Sequence, residues 1–218
     1  MNDRERTISV ARGEWPLADS VKPYHRHAFA CTGDRSWPAR LEDHEGLLGI
    51  MARDVRDLRD VEGSIPKLTA TDEPSTGRGL DLLVFPEAIR YRVVEPDDWR
   101  VVLHEHLRGG RRAGVESEPL PGRHVFVCVH AARDERCGRC GPPLLTAVRD
   151  AVAEADLKDV TVRATSHVGG HKYAGNVLVY PEGVWYGYVR PDDAGRLVRD
   201  HLLGGRILED LHRGSMST

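Results

Sequence analysis

The stretch FVCVHAARDERCGRCG, residues 126–141, holds Cys128, Cys137 and Cys140, three of the four cysteines in the chain. Further on, SHVGGH, residues 166–171, carries His167 and His171 four positions apart. Thiolates and imidazoles are the side chains that bind soft and borderline metals and that carry thiol redox chemistry. Three chemistries suit this set. Cys137 and Cys140 form a C-x-x-C, the spacing of a thiol–disulfide pair. Cys137, Cys140, His167 and His171 have the ligand types and number of a tetrahedral zinc site. Cys128 and Cys137 with His167 and His171 supply two separated ligand pairs, as the two irons of a [2Fe–2S] cluster need. The first two leave Cys128 without a purpose, and the first leaves both histidines without one.

The rest of the composition narrows the function class. The 218 residues carry a formal charge of -3, with acids and bases interspersed. No Lys/Arg block argues for nucleic acid. No apolar run reaches transmembrane length, and MNDRERTISVARGEW has no apolar segment of a signal peptide. The expected compartment is the cytoplasm, without membrane insertion. There thiols stay reduced, so clustered cysteines read as metal-binding or catalytic before they read as disulfides.

The elements that must position these residues come from a repeat. The stretch from Leu82 aligns without a gap with that from Val177 at an offset of 95, and Pro86, Glu87, Tyr91, Pro96, Asp97, Asp98, His106, Gly109 and Gly110 all recur. Two related halves follow, 1–115 and 122–212. In each, an apolar strand (Leu82–Phe85; Val177–Tyr180) turns at Pro-Glu into a second (Ile89–Val94; Val184–Val189). A helix then opens at Pro-Asp-Asp and stops at Gly-Gly. Earlier in each half a strand ends in cysteine, HAFAC at Cys31 and HVFVC at Cys128. A helix follows, opening at Pro142-Pro143 in the second half and burying Leu144, Leu145, Val148 and Val152. With a strand over Val160–Ala164, the order is strand, helix, strand, strand, strand, helix. That is the thioredoxin-like α/β arrangement, a mixed sheet with one parallel pair and a terminal hairpin.

On this scaffold Cys128 ends a strand and Cys137, Cys140, His167 and His171 are expected in loops, all at one end of the sheet, where sites are commonly built. The first half keeps Cys31 alone, and its matching loop, TDEPSTGRG, has no histidine. It reads as a degenerate half without ligands. Other residues have plainer roles. His106 and His201 read as helix-end caps or packing, Trp185, Tyr186 and Tyr188 as hairpin core, and Arg133–Arg139 as a solvated loop. His130 is placed only as a neighbour of the site. A thioredoxin-type redox site would carry a proline before the third strand, and none occurs between Pro143 and Pro181.

VCVHAARDERCGRCGPPLL followed by TSHVGGHKYAGNVLVYPEGVWYGYV resembles the sucrase/ferredoxin-like family, thioredoxin-like ferredoxins marked by a cysteine, a spaced second cysteine before G-x-x-G-P, an SH-x-GGH loop and P-x-G-x-WYG. The resemblance is close over 124–205 and looser in the first half. It implies one [2Fe–2S] cluster held by Cys128, Cys137, His167 and His171. Cys140 departs from the pattern and stands as an alternative ligand. The implied function is one-electron transfer between a reductase and an acceptor, coupled to a proton through imidazole, with no independent catalysis. No carboxylate pair supports sugar hydrolysis.

Overall fold

A computed structural model describes residues 12–56 and 58–217. The chain divides into two compact units, one built mainly from 23–121 and the other mainly from 12–22, 122–180 and 184–215. Residues 12–22 therefore belong with the C-terminal unit, not with the half expected over 1–115. There the amide of Trp15 donates to Tyr188 Oη (3.0 Å) and that of Ser20 to the carbonyl of Arg213 (3.1 Å).

The N-terminal unit contains β1 (His27–Cys31), α1 (Leu47–Arg56), β2 (Lys67–Thr71), β3 (Leu80–Phe85), β4 (Ile89–Val93), α2 (Pro96–Val101) and β5 (Ser117–Pro119). Its sheet runs β2-β1-β3-β4-β5, parallel between β1 and β2 and antiparallel elsewhere. The C-terminal unit repeats this order with β6 (Arg123–Cys128), α3 (Glu135–Glu154), β7 (Val160–Thr165), β8 (Val177–Tyr180), β9 (Val184–Tyr186), α4 (Ala194–Arg196) and β10 (His212–Ser215). Here the order is β7-β6-β8-β9-β10, with β6 and β7 parallel. A parallel pair joined through a helix and followed by an antiparallel hairpin and a helix is the thioredoxin-like arrangement in each unit. Both cores are apolar, around Phe29, Leu48, Met51 and Trp99 in one and Phe126, Leu144, Val148 and Trp185 in the other. Trp185, Tyr186 and Tyr188 are hairpin core, as expected.

The helix after each hairpin starts as the sequence dictates. Asp98 Oδ2 accepts the amides of Val94 and Glu95, and Asp193 Oδ2 accepts that of Arg190. Each helix then loosens into a π-helical turn, Val102–Arg108 and Leu197–Leu203. Gly110 and Gly205 end them in the left-handed region, at φ +70° and +66°. His106 and His201 are packing residues, the second of the two roles expected. Both are buried, with Nδ1 2.9 Å from Tyr91 Oη and 2.8 Å from Tyr186 Oη respectively. The same hydroxyls accept the amides of Ala113 and Leu208. Tyr91→Phe would strip two buried groups of their partner at once. Its expected cost is about 1–3 kcal/mol, read as a lower urea midpoint.

One helix differs from expectation. α3 opens at Glu135, not at Pro142-Pro143, which lie inside it. Asp134 is its N-cap, accepting the Arg136 amide on Oδ1 at 3.0 Å. The cap sits early enough to take Cys137, Cys140 and the arginines after it into the helix. The missing N–H groups of the two prolines fall opposite the carbonyls of Gly138 and Arg139.

Candidate metal centre

Three segments of the C-terminal unit converge. Cys128 closes β6, where its amide donates to the Asn176 carbonyl at 3.0 Å. Cys137 lies in the first turn of α3 and is buried. His167 follows β7, and its backbone amide donates to Nδ1 of buried His130 at 3.1 Å. The Sγ atoms of Cys128 and Cys137 and a ring nitrogen of His167 all lie within 4.8 Å of one another. Close approach of helix and strand makes this possible. A Cβ on Gly141 would stand 2.2 Å from the Cys128 carbonyl oxygen, and one on Gly138 would stand 2.4 Å from Ala131 Cβ.

His171 stands at the rim. Gly169 and Gly170, at φ +92° and +74°, turn the chain back so that its ring stacks beside that of His167, centroids 5.7 Å apart. Its side chain is 48% exposed, and Nδ1 lies 3.6 Å from Asp134 Oδ2. Asp134 is itself held by the Arg136 guanidinium through both oxygens, at 2.9 Å each. The residues read as a solvated loop thus begin with the helix cap that flanks the site. The role of His130, which sequence reasoning left open, is to accept the amide that fixes His167.

Electrostatics follow from burial. The Cys137 thiol donates to Cys128, which holds the Cys128 thiol well below its ordinary pKa despite burial, with His167 and the His130 amide assisting. Cys137 keeps the shared proton and is pushed up, by that bond first and by burial second. Cys140, half-buried and outside the convergent group, is pushed up by burial. Partial burial holds His171 below the usual imidazole value, against the pull of Asp134.

All four cysteines are free thiols. The zinc set of Cys137, Cys140, His167 and His171 is not assembled, because neither Cys140 nor His171 lies within the convergent group. The C-x-x-C pair sits on one helix, and the thiol facing Cys137 is Cys128. What converges are two buried sulfurs and one imidazole, and His167 Nδ1 is buried with no hydrogen-bond partner among the described residues. Such a donor set fits a thiophilic metal or an iron–sulfur group. Among the described residues of the N-terminal unit no comparable group of thiols and imidazoles gathers at Cys31, whose carbonyl takes the Ser75 hydroxyl at 2.7 Å. His25, Asp60 and Glu62 also lie close together there. Asp60 already accepts the amides of Glu62 and Ser64 on one oxygen and faces His25 Nδ1 at 3.0 Å with the other, which braces a loop.

Among similar proteins, the chain is 41% identical over 112 residues to the Clavispora lusitaniae protein named altered inheritance of mitochondria protein 32, covering 50% of this chain and 41% of that one. The Kluyveromyces lactis protein of the same name is 28% identical over 257 residues, covering 93% of this chain and 78% of that one. The chain thus spans about two fifths of the first relative's length. A thioredoxin-like [2Fe–2S] ferredoxin from Aquifex aeolicus is 26% identical with a TM-score of 0.40, covering 45% of this chain and 96% of that chain. Among the described residues no helix is long and apolar enough to cross a membrane. The sucrase/ferredoxin-like family profile matches residues 17–214, nearly the whole chain, and the protein belongs to that family.

Proposed function

We propose that the protein is a one-electron carrier whose C-terminal unit holds one [2Fe–2S] cluster through Cys128, Cys137, His167 and His171. The observation that carries this reading is the convergence of Cys128, Cys137 and His167 from three separate segments, with His171 stacked on the last. A bound [2Fe–2S] cluster supplies one-electron uptake and release. The protein's own residues set the terms. Two thiolates balance the charge of an oxidised core, where four would leave it at minus two, so the site favours a potential above that of plant-type ferredoxins. Cys128 and Cys137 are buried, which keeps water from the sulfurs. His171 is the donor at the surface, where it can exchange a proton with solvent at the ring nitrogen that does not face the site. The electron donor is proposed as a reductase and the recipient as a separate acceptor protein, in the cytoplasm, without nucleic acid and without independent catalysis.

The test is a visible spectrum with metal analysis on protein purified without oxygen. About two irons per chain, with absorption that bleaches on reduction, is the expected result. About one zinc per chain and no colour would replace the reading with a structural metal site. Proton coupling has its own signature. Added negative charge beside His171 raises its imidazole pKa, so the reduced state binds the proton more tightly. The midpoint potential should therefore rise as pH falls through the imidazole range, from about pH 8 to 5. A potential flat across that range would remove the proton from the scheme.

A further inference from the structure

The sheet of the C-terminal unit ends in an irregularity. His212 pairs with Tyr186 and Gly214 with Trp185, so two steps along β10 match one step along β9. Arg213 is the extra residue, and such a bulge re-aims a side chain. Its side chain points inward, and the residue is only 2% exposed. Every hydrogen-bond partner it has among the described residues is neutral. Nε donates to Ser20 Oγ at 3.1 Å, Nη1 to Asn176 Oδ1 at 2.7 Å and to the Gly169 carbonyl at 3.3 Å, and Nη2 to the Ser20 carbonyl at 3.4 Å. The guanidinium also lies 4.5 Å from the centroid of the Tyr173 ring and 5.6 Å from that of Trp185. Among the described residues no carboxylate touches it.

A buried cation without a carboxylate is costly. Burial pushes its pKa down to about 10, so it stays charged at neutral pH, and Tyr173, Cys128, Cys137 and Tyr188 favour that charge. Its position links it to the candidate centre. A Cβ on Gly170 would stand 2.3 Å from Arg213 Nη2, so the guanidinium packs against the back of the loop between His167 and His171. Asn176 ties the two together, donating Nδ2 to the Gly170 carbonyl at 3.1 Å while accepting from Arg213. The same Asn176 receives the Cys128 amide on its carbonyl.

We propose that Arg213 is a positioning residue for the centre read above, bracing the histidine loop from behind and, as a buried unpaired cation, favouring the reduced form of whatever that centre holds. This rests on the iron–sulfur reading. Uptake of an electron makes the site more negative, and a fixed positive charge in a low-dielectric interior stabilises that change.

The experiment is a redox titration of the iron-loaded full chain, wild type against three variants at one pH. Arg213→Gln keeps a donor and removes the charge. Its ratio of reduced to oxidised protein at a fixed applied potential should fall by about tenfold, which is about 59 mV for a one-electron couple. Arg213→Lys keeps the charge and should lie nearer to wild type than to Arg213→Gln. Asn176→Asp keeps the acceptor that faces the guanidinium and pairs its charge, at the loss of the Nδ2 donation to the Gly170 carbonyl, and with its added negative charge it too should shift the potential downward. That variant decides the matter if Arg213→Gln does not fold. An Asn176→Asp protein at the wild-type potential overturns the proposal. So does an Arg213→Gln protein with an intact cluster spectrum and an unchanged potential. In both cases the wild type still holds its cluster and the functional reading survives. A wild type that takes up no iron after reconstitution sinks both.

Discussion

Cys128→Ser protein, purified without oxygen, is expected to fall from about two irons per chain to almost none, while Cys140→Ser keeps its iron and its colour. The difference is one of place. Cys128 Sγ lies among the convergent donors, and Cys140 does not, although both are cysteines in one short segment. Serine is a poor ligand for a thiophilic metal, and it would leave Cys137 and His167 facing a gap in the set. Cys31→Ser should behave like Cys140→Ser, since Cys31, at the matching strand end of the N-terminal unit, belongs to no group of potential ligands found among the described residues. Iron analysis with the visible spectrum checks all three. If Cys140→Ser loses the iron and Cys128→Ser retains it, the ligand set is Cys137 with Cys140 and the reading here is wrong.

Gly141→Ala should both destabilise the protein and empty the site, without touching any ligand. The added methyl would stand 2.2 Å from the Cys128 carbonyl oxygen and 2.8 Å from Val129 Cα. Both are backbone atoms of the strand end, so no side chain can swing away to make room. The helix must back off, and Cys137 travels with it, away from Cys128. The expected cost is at the upper end of about 1–3 kcal/mol for an overpacked contact, with iron content falling in parallel. Gly195→Ala is the control. It sits in α4 with nothing within 4 Å of its added Cβ, and alanine favours helix over glycine by about 1 kcal/mol. Urea midpoints and iron content measured on the same samples separate the two effects. Equal stability for the two variants would mean that α3 has slack the geometry does not show.

The elements with strong local signals were legible in the sequence. HAFAC and RHVFVC are apolar runs that form buried strands, and the Pro-Asp-Asp starts and Gly-Gly stops mark the helices after each hairpin. The order of these elements carries the thioredoxin-like fold. Where the reading went astray, two local signals competed. Pro142-Pro143 resembles a helix start, yet Asp134 followed by Glu135 is also one, and the earlier cap won. The consequence reaches the site, since it puts Cys137 on a rigid helix instead of a loop. The short strands β5 and β10 went unseen because SEP and HRGS have no apolar alternation to betray them. Nothing local could reveal that Arg213 is buried, because its burial comes from a register shift against β9. The approach of Cys128, Cys137 and His167 is likewise a property of β6, α3 and β7 together, and spacing along the chain gives no measure of it.

The bulge at Arg213 makes chain length a functional variable. Deleting one residue between His212 and Gly214 would let β10 pair regularly with β9, and the ladder would gain rather than lose hydrogen bonds. The sheet would be tidier and its interior would have lost its one cation from that strand. An insertion or deletion scan along 211–216 should therefore find a position where the fold survives and the redox property does not, a dissociation that point substitutions in the core, which damage both together, would not reveal.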